Sequence, residues 1–207
     1  MLKAQLRDPK LVNDPYREIA KVAGVANGAI TWVIKGLTNT GFLHHKRAKE
    51  GRELLNIPKL IDRWVEAYPL KLQNKQLFGV FEAENQQWWQ QAHPEKNQGV
   101  WGGEVAADKY TEYLNPENTI VYLPEGEEKA FTLQNRLRAA KQGKAEHGKG
   151  LVHIHNPFWQ DLTPNKNNDQ VDCAPPLLVY AELLATGDPR NRETAEMIYD
   201  KYLTPTH

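Results

Sequence analysis

Apolar positions in the first seventy residues follow a helical period, then a short alternating stretch, then a helical period again. Asp14–Pro15 marks a helix start, with Asp14 as cap and Pro15 in the first turn. In YREIAKVAG, Ile19, Ala20 and Ala23 fall on one face, and Gly24 ends the segment in a left-handed conformation. Val25 and Ala26 cross a turn, and Asn27 caps the next helix. That helix runs AITWVIKGLTNT, with Ile30, Val33, Ile34 and Leu37 as its buried stripe and Gly41 as its end. Thr31, Trp32, Lys35 and Asn39 occupy the other face. Phe42 and Leu43 open a strand, Glu53–Leu55 returns as its partner, and HKRAKEGR between them is a tip with Gly51 as turn residue. PKLIDRWVEAYPLKL is a further helix, begun by Pro58 and ended before Pro69, with Leu60, Ile61, Trp64, Val65 and Tyr68 as its apolar stripe.

Two short helices around a tight turn, followed by a basic hairpin, are the pattern of a winged helix-turn-helix. Ala20 and Ala23 supply the small residues needed where the helices cross. The second helix is the expected reader, laid in the major groove with polar side chains toward base edges and phosphates. The expected DNA contacts are Asn27, Gly28, Thr31, Trp32, Lys35 and Asn39 on the helix. His45, Lys46, Arg47, Lys49 and Arg52 are the expected contacts on the wing. Trp32 has a second reading, as a packing residue against a neighbouring element. The alternatives for the module as a whole are a helical subdomain with a solvated charged loop, and a winged helix that binds protein.

The remainder reads as mixed α and β. QLFGVFEA is a short strand, NQQWWQQAHPEKNQ a helix edge and loop, and WGGEVAADKYTEYL a Gly-Gly turn into a helix. TIVYL is a strand, AFTLQNRLRAAKQG a strand leading into a loop or short helix, and LVHIHNPFW a strand with His153 and His155 on one face. PPLLVYAELLATGDPRNRETAEMIYDKYL closes the chain as a helical hairpin around Gly187–Arg190, with Asp188 and Arg190 bracing the turn. Leu178, Ala181, Leu184 and Ala185 form one apolar face of the pair, and Ala195, Ile198, Tyr199 and Tyr202 the other. The expected fold class is thus α+β: an N-terminal winged helix-turn-helix over residues 1–57, a linker helix over 58–71, and an α+β C-terminal domain over 72–207 ending in that hairpin.

Composition adds a charge asymmetry. The 207 residues are 40% hydrophobic and 25% charged, as in folded globular chains, and the formal net charge is zero. Residues 1–50 carry nine Lys/Arg against four Asp/Glu, and residues 51–207 carry 17 against 22. A basic module on a neutral-to-acidic body fits a nucleic-acid partner. Residues 135–149 form a second basic run, and Arg136, Arg138, Lys141 and Lys144 are candidates for a secondary nucleic-acid or partner surface. A single cysteine, Cys173, excludes an internal disulfide and a mainly cysteine zinc site, and points to a reducing, cytoplasmic compartment. No run of 18 apolar residues predicts a membrane span.

Searches for chemistry yield little. His153 and His155 could face one ion, with Asp161 or Asp172 joining them, but no ligand pattern requires it. Nucleotidyl transfer needs a Gly-Ser turn and paired strand carboxylates for two Mg²⁺ ions; here Gly102–Gly103 is followed by Glu104, and no Asp-x-Asp follows. No phosphate-cradling glycine loop is present. Glu104 and Asp108 share a helical face, a pair too common to signal a nuclease. Cys173 has no partner for thiol chemistry. The expectation is a protein without catalytic activity, metal or cofactor.

Four segments carry a resemblance: PYREIAKVAGVANGAITWVIKGLTNTGFL, LIDRWVEAYPLKL, WGGEVAA with YTEYLNP, and APPLLVYAELLATGDPRNRETAEMIYDKYL. Together they resemble the antitoxin-type transcriptional regulators of bacterial type IV abortive-infection toxin–antitoxin systems. The resemblance implies a repressor of its own promoter that binds inverted repeats in double-stranded DNA; pairing of copies on the site is expected separately, because one small module covers too few base pairs. It implies a functional link to a nucleotidyltransferase-like toxin without a stable complex. It maps the recognition helix onto Ala29–Thr40, the wing onto Phe42–Leu55, and the paired C-terminal helices onto Pro176–Ala185 and Asn191–Leu203. Longer relatives carry a further N-terminal region, so this chain is expected to be a short member, with the module's first helix compressed into MLKAQLRDPKLV.

Overall fold

The computed structural model describes residues 9–46, 51–159 and 172–204. It divides into two compact units. One takes in the chain to Trp64 together with Leu203 onward, and the other spans Val65–Tyr202. Among the described residues no helix is long and apolar enough to cross a membrane.

The first unit begins with a 3-10 turn, Pro9–Asn13, followed by helices α1 (Tyr16–Ala23) and α2 (Asn27–Asn39). The antiparallel pair β1 (Leu43–His45) and β2 (Arg52–Leu54) comes next, then α3 (Ile57–Tyr68), within which the unit boundary falls. Leu11, Val12, Ile19, Ala20, Ile30, Ile34 and Leu43 form one buried cluster, with Tyr16, Ala23, Leu37 and Leu54 packed against it. At about 25 cal/mol per Å² of apolar surface buried, such a cluster is what holds the 3-10 turn, the two helices and the hairpin together. Gly24 sits at φ 66° and closes α1 with N–H bonds to Ala20 and Lys21, as its lack of a Cβ allows.

Three local expectations change. The cap of α1 is Pro15, not Asp14: the extended Pro15 turns its carbonyl to accept from the Glu18 and Ile19 N–H groups. The cap of α2 is Ala26, and Asn27 is already inside the helix, so neither cap uses a side chain. Val33 is 39% exposed and leaves the buried stripe. With Ile30 and Ile34 at the centre of the buried arc, Val33 lies beyond its edge, and only Leu37 completes it.

The second unit holds a five-stranded mixed sheet in the order β4-β5-β7-β3-β6, with β3 Leu77–Ala83, β4 Val100–Gly102, β5 Asn118–Tyr122, β6 Arg138–Ala139 and β7 Gly150–His155. β5 and β7 are parallel; every other neighbouring pair is antiparallel. Helix α4 (Gly103–Thr111) follows β4 directly, and α5 (Glu128–Gln134) lies between β5 and β6. Helices α6 (Pro176–Thr186) and α7 (Pro189–Ile198) are consecutive and pack on each other and on α4. Asp188 caps α7, its carboxylate accepting from the Arg190 N–H at 2.8 Å.

Trp101, Val121 and Ile154 stand side by side on one sheet face, where Trp88 meets Trp101 edge-on and Phe131 meets Trp88. Tyr122 and His155 share the other face, toward Glu182 of α6.

Here too the structure corrects the sequence reading. Val100–Gly102 is a strand that the glycine pair masked, and residues 172–174 extend its edge: the Trp101 N–H donates to the Asp172 carbonyl and the Ala174 N–H to the Trp101 carbonyl. The segment AFTLQNRLRA is helix first and a two-residue strand second, because Phe131 is anchored in the core and α5 winds around it. Helix α6 is buried nearly all round, Leu177, Val179, Glu182 and Leu183 included, while Ala185 is exposed. A helix enclosed on several sides has no single apolar face to read.

Candidate nucleic-acid interface

Helix α2 has three strips. Ile30, Ile34 and Leu37 point into the unit. Thr31, Lys35 and Asn39 form an exposed polar strip. Ala29, Trp32, Val33 and Gly36 form an exposed strip of apolar and small residues, and Trp32 is 76% exposed. Asn27 and Gly28 are exposed in the first turn. The predicted helix residues therefore all reach the surface. Trp32 does not pack on a neighbouring element of its unit.

The hairpin beside it is tied down by its own predicted contacts. In β2, the Arg52 N–H donates to Asn13 Oδ1, and its guanidinium donates to the Asp14 carbonyl at 2.9 Å. That guanidinium also lies 4.9 Å from the centre of the Tyr16 ring. Arg52 thus braces the hairpin against the start of α1, with limited freedom left for a phosphate. Lys46 pairs with Glu53 across the hairpin at 2.9 Å, half-exposed and therefore weakly held. His45 is exposed, and its Nε2 lies 3.4 Å from the Thr38 hydroxyl, which joins the hairpin to α2. Arg47 and Lys49 lie outside the described residues.

The second basic run lies at the β6 edge of the sheet and beyond. Arg136, Arg138, Lys141 and Lys144 are exposed. Lys149 is engaged instead, donating to Glu82 at 2.9 Å and pairing with Glu146 at 3.1 Å. That hydrogen bond holds the Glu82 carboxyl below its ordinary value.

The candidates for chemistry are used structurally. Glu104 is buried and accepts from the Glu117 and Asn118 N–H groups at 2.6 and 3.2 Å and from the Asn191 amide at 3.0 Å, with Arg190 at 3.7 Å. It clamps the entry to β5 onto α7. Asp172 pairs with Lys109 at 2.9 Å, away from the histidines, and Asp161 lies outside the described residues. No group of three His, Cys, Asp or Glu that could hold a metal occurs among the described residues. Burial pushes the Cys173 thiol well up, which leaves it a poor nucleophile.

A cluster that sequence reading missed lies at the centre of the second unit. Glu182 is fully enclosed and accepts from the Gly103 N–H at 2.7 Å and from the hydroxyls of Tyr122 and Tyr68. Burial outweighs those three bonds and pushes its carboxyl up to about 7, and burial also raises both phenols. Gly102 has no room for a side chain here: a Cβ would stand 3.1 Å from Glu182 Oε2 and 2.8 Å from the Tyr122 ring. The one available signal was a glutamate set inside the apolar run LLVYAELL.

A family model described as "Transcriptional regulator, AbiEi antitoxin, Type IV TA system" matches residues 53–204, well over half the chain. The chain belongs to this family. The match starts in β2 and covers the second unit, so the general role of transcriptional regulator and antitoxin comes with the body of the chain. Helices α1 and α2 lie before it. No curated protein and no solved structure matches the chain.

Proposed function

We propose that the chain is a sequence-specific DNA-binding transcriptional regulator that represses its own promoter and acts as the antitoxin of a type IV system in the bacterial cytoplasm. In this reading α1 and α2 are a helix-turn-helix, β1 and β2 its wing, and α6 and α7 a closing helical hairpin. The observation that carries it is α2 itself. Its outward face is uncovered within its unit, and the sequence around it holds no Asp or Glu between Glu18 and Glu50 while it holds Lys21, Lys35, Lys46, Arg47 and Lys49. Along that stretch a polyanion meets only positive or neutral side chains, and Glu53 on the wing is paired with Lys46. Copies pair on inverted repeats, because one small module covers too few base pairs for useful specificity. The reading assigns no catalysis, metal or cofactor, and Glu104 serves as a clamp. A nucleotidyltransferase-like toxin is the functional counterpart, countered without a stable complex.

Salt-titrated binding to DNA from upstream of its own gene, against scrambled DNA of equal length, tests the proposal. Tighter binding to the native sequence, falling steeply between low and physiological salt, is the expected result. Affinity that is flat with salt overturns it. Lys35→Glu combined with Arg47→Glu is expected to weaken binding at least tenfold. The exposed Trp32 and Val33 favour a second reading, in which α2 docks a protein. Absence of DNA affinity together with a co-purifying protein partner would favour that reading.

A further inference from the structure

Helix α2 carries two glycines that its own unit does not require. Gly28 and Gly36 both have helical backbone, and a Cβ added at either meets no atom within 4 Å. Glycine is the poorest helix former after proline, so Gly36 weakens the helix interior with no packing reason among the described residues. Gly28, Trp32 and Gly36 follow one another four residues apart, on the strip farthest from the buried residues. Bare backbone thus flanks an exposed indole on both sides. Such a surface allows a ligand to approach the helix axis closely on either side of one large apolar contact.

Charge decides the occupant. The acid-free stretch from Ile19 to Lys49 fits duplex DNA. The chemistry of the strip then narrows what it reads. Guanine is most often read by arginine or lysine in bidentate contact. Helix α2 has no arginine, and Lys35 is its only charged residue. Asparagine pairs with adenine, and apolar side chains touch the thymine methyl. Asn27, Asn39, Ala29, Trp32 and Val33 are all exposed on this helix.

We infer that α2 reads A·T base pairs in the major groove, with Trp32 and its apolar neighbours against thymine methyl groups and Gly28 and Gly36 admitting the DNA close to the helix backbone. This rests on the DNA-binding reading above.

The test uses the full chain and a random-sequence duplex library. Sites enriched by the wild-type protein are expected to hold A·T pairs at their most constrained positions. Replacing thymine by uracil at those positions removes only the methyl group, and should weaken wild-type binding about 3- to 10-fold. In Trp32→Ala the uracil penalty should shrink toward none. Gly36→Leu should leave the thermal midpoint unchanged or raised, since the added side chain meets open space, while binding falls at least tenfold. Guanine-centred sites, or binding that ignores uracil and Gly36→Leu alike, overturn the inference and leave DNA binding standing. No enrichment of any duplex overturns both.

Discussion

The buried polar and charged side chains among the described residues, Asn97, Glu104, Thr119, Glu128, His155, Glu182, Asn191 and Thr194, all belong to the unit Val65–Tyr202. Among the described residues, the unit to Trp64 buries only apolar side chains, from Leu11, Ile19 and Ile30 to Phe42 and Ile61. The first arrangement is tolerant: an apolar cluster accepts many combinations of similar volume, so the surface above it is free to carry a binding function. The second is demanding. A buried polar group must find its partner or cost about 1–3 kcal/mol, and Asn97, Glu104, Glu128 and Glu182 find theirs on distant segments, which ties those segments to a single arrangement. The family match covers the demanding unit. The candidate interface sits on the tolerant one.

The sharpest way to break this contrast is at Glu104. Glu104→Ala leaves two backbone N–H groups and the Asn191 amide without their acceptor, and is expected to destabilise the chain by roughly 3–5 kcal/mol in urea unfolding. A loss below ~1 kcal/mol would mean that the clamp is dispensable.

Next comes the opposing titration of Glu182 and His155. Burial pushes Glu182 from 4.5 up to about 7, so the unfolded chain releases this proton first and stability falls as pH rises across that window. Burial, aided by the His153 ring, pushes His155 from 6.5 down to about 4, so the unfolded chain takes up the proton first as pH falls. Stability then falls as pH drops through the same range, and His153 is shifted the same way by burial. The two slopes oppose each other between about pH 4.5 and 6.5. Glu182→Gln should expose the histidine slope, with stability rising with pH by on the order of 3 kcal/mol. His155→Phe should expose the reverse slope. Parallel pH profiles for wild type and both variants would show that the two groups do not titrate in this way.

In the first unit the comparable test is Ile30→Ala. Removing a wholly buried side chain should cost about 2–4 kcal/mol by thermal or urea unfolding, through a cavity and not through orphaned polar groups. Ile30→Val should cost only about 1 kcal/mol, since a smooth dependence on volume is what an apolar cluster predicts. The smallest effect belongs to the surface. Trp32→Ala and Lys35→Glu should each change stability by no more than ~0.5 kcal/mol, and a larger loss would show that α2's outward face supports the fold.

The legibility of the chain follows the same division. The first unit could be read closely because its signals are local. Gly24 and Gly41 mark helix ends, Pro58 sits in the first turn of α3, and β1 and β2 form the expected antiparallel pair, whereas helical backbone does not stop before Pro69 but runs on as a π-helix over Pro69–Gln73. The errors there were at caps and at the stripe edge, where one residue of rotation decides burial. The candidate site residues on α2 were legible as exposed positions. The bracing of Arg52 by Asn13, Asp14 and Tyr16 was not, because its partners lie 36 to 39 positions away in sequence.

In the second unit, sequence alone located strands within QLFGVFEA, TIVYL and LVHIHNPFW and the two closing helices, the strands as short runs rich in apolar residues and the helices by their Pro and Gly boundaries. It also determined the acid-free basic stretch that any ligand of α2 must meet. Only the tertiary structure decided that VWG is an edge strand completed by residues 172–174, that the parallel β5 and β7 are neighbours, and that Glu182, Tyr122 and Tyr68 meet. The physical reason is range. Periodicity and capping act within a few residues of themselves, whereas the buried Glu182 carboxyl finds its donors only after the chain has folded back across 60 to 114 positions.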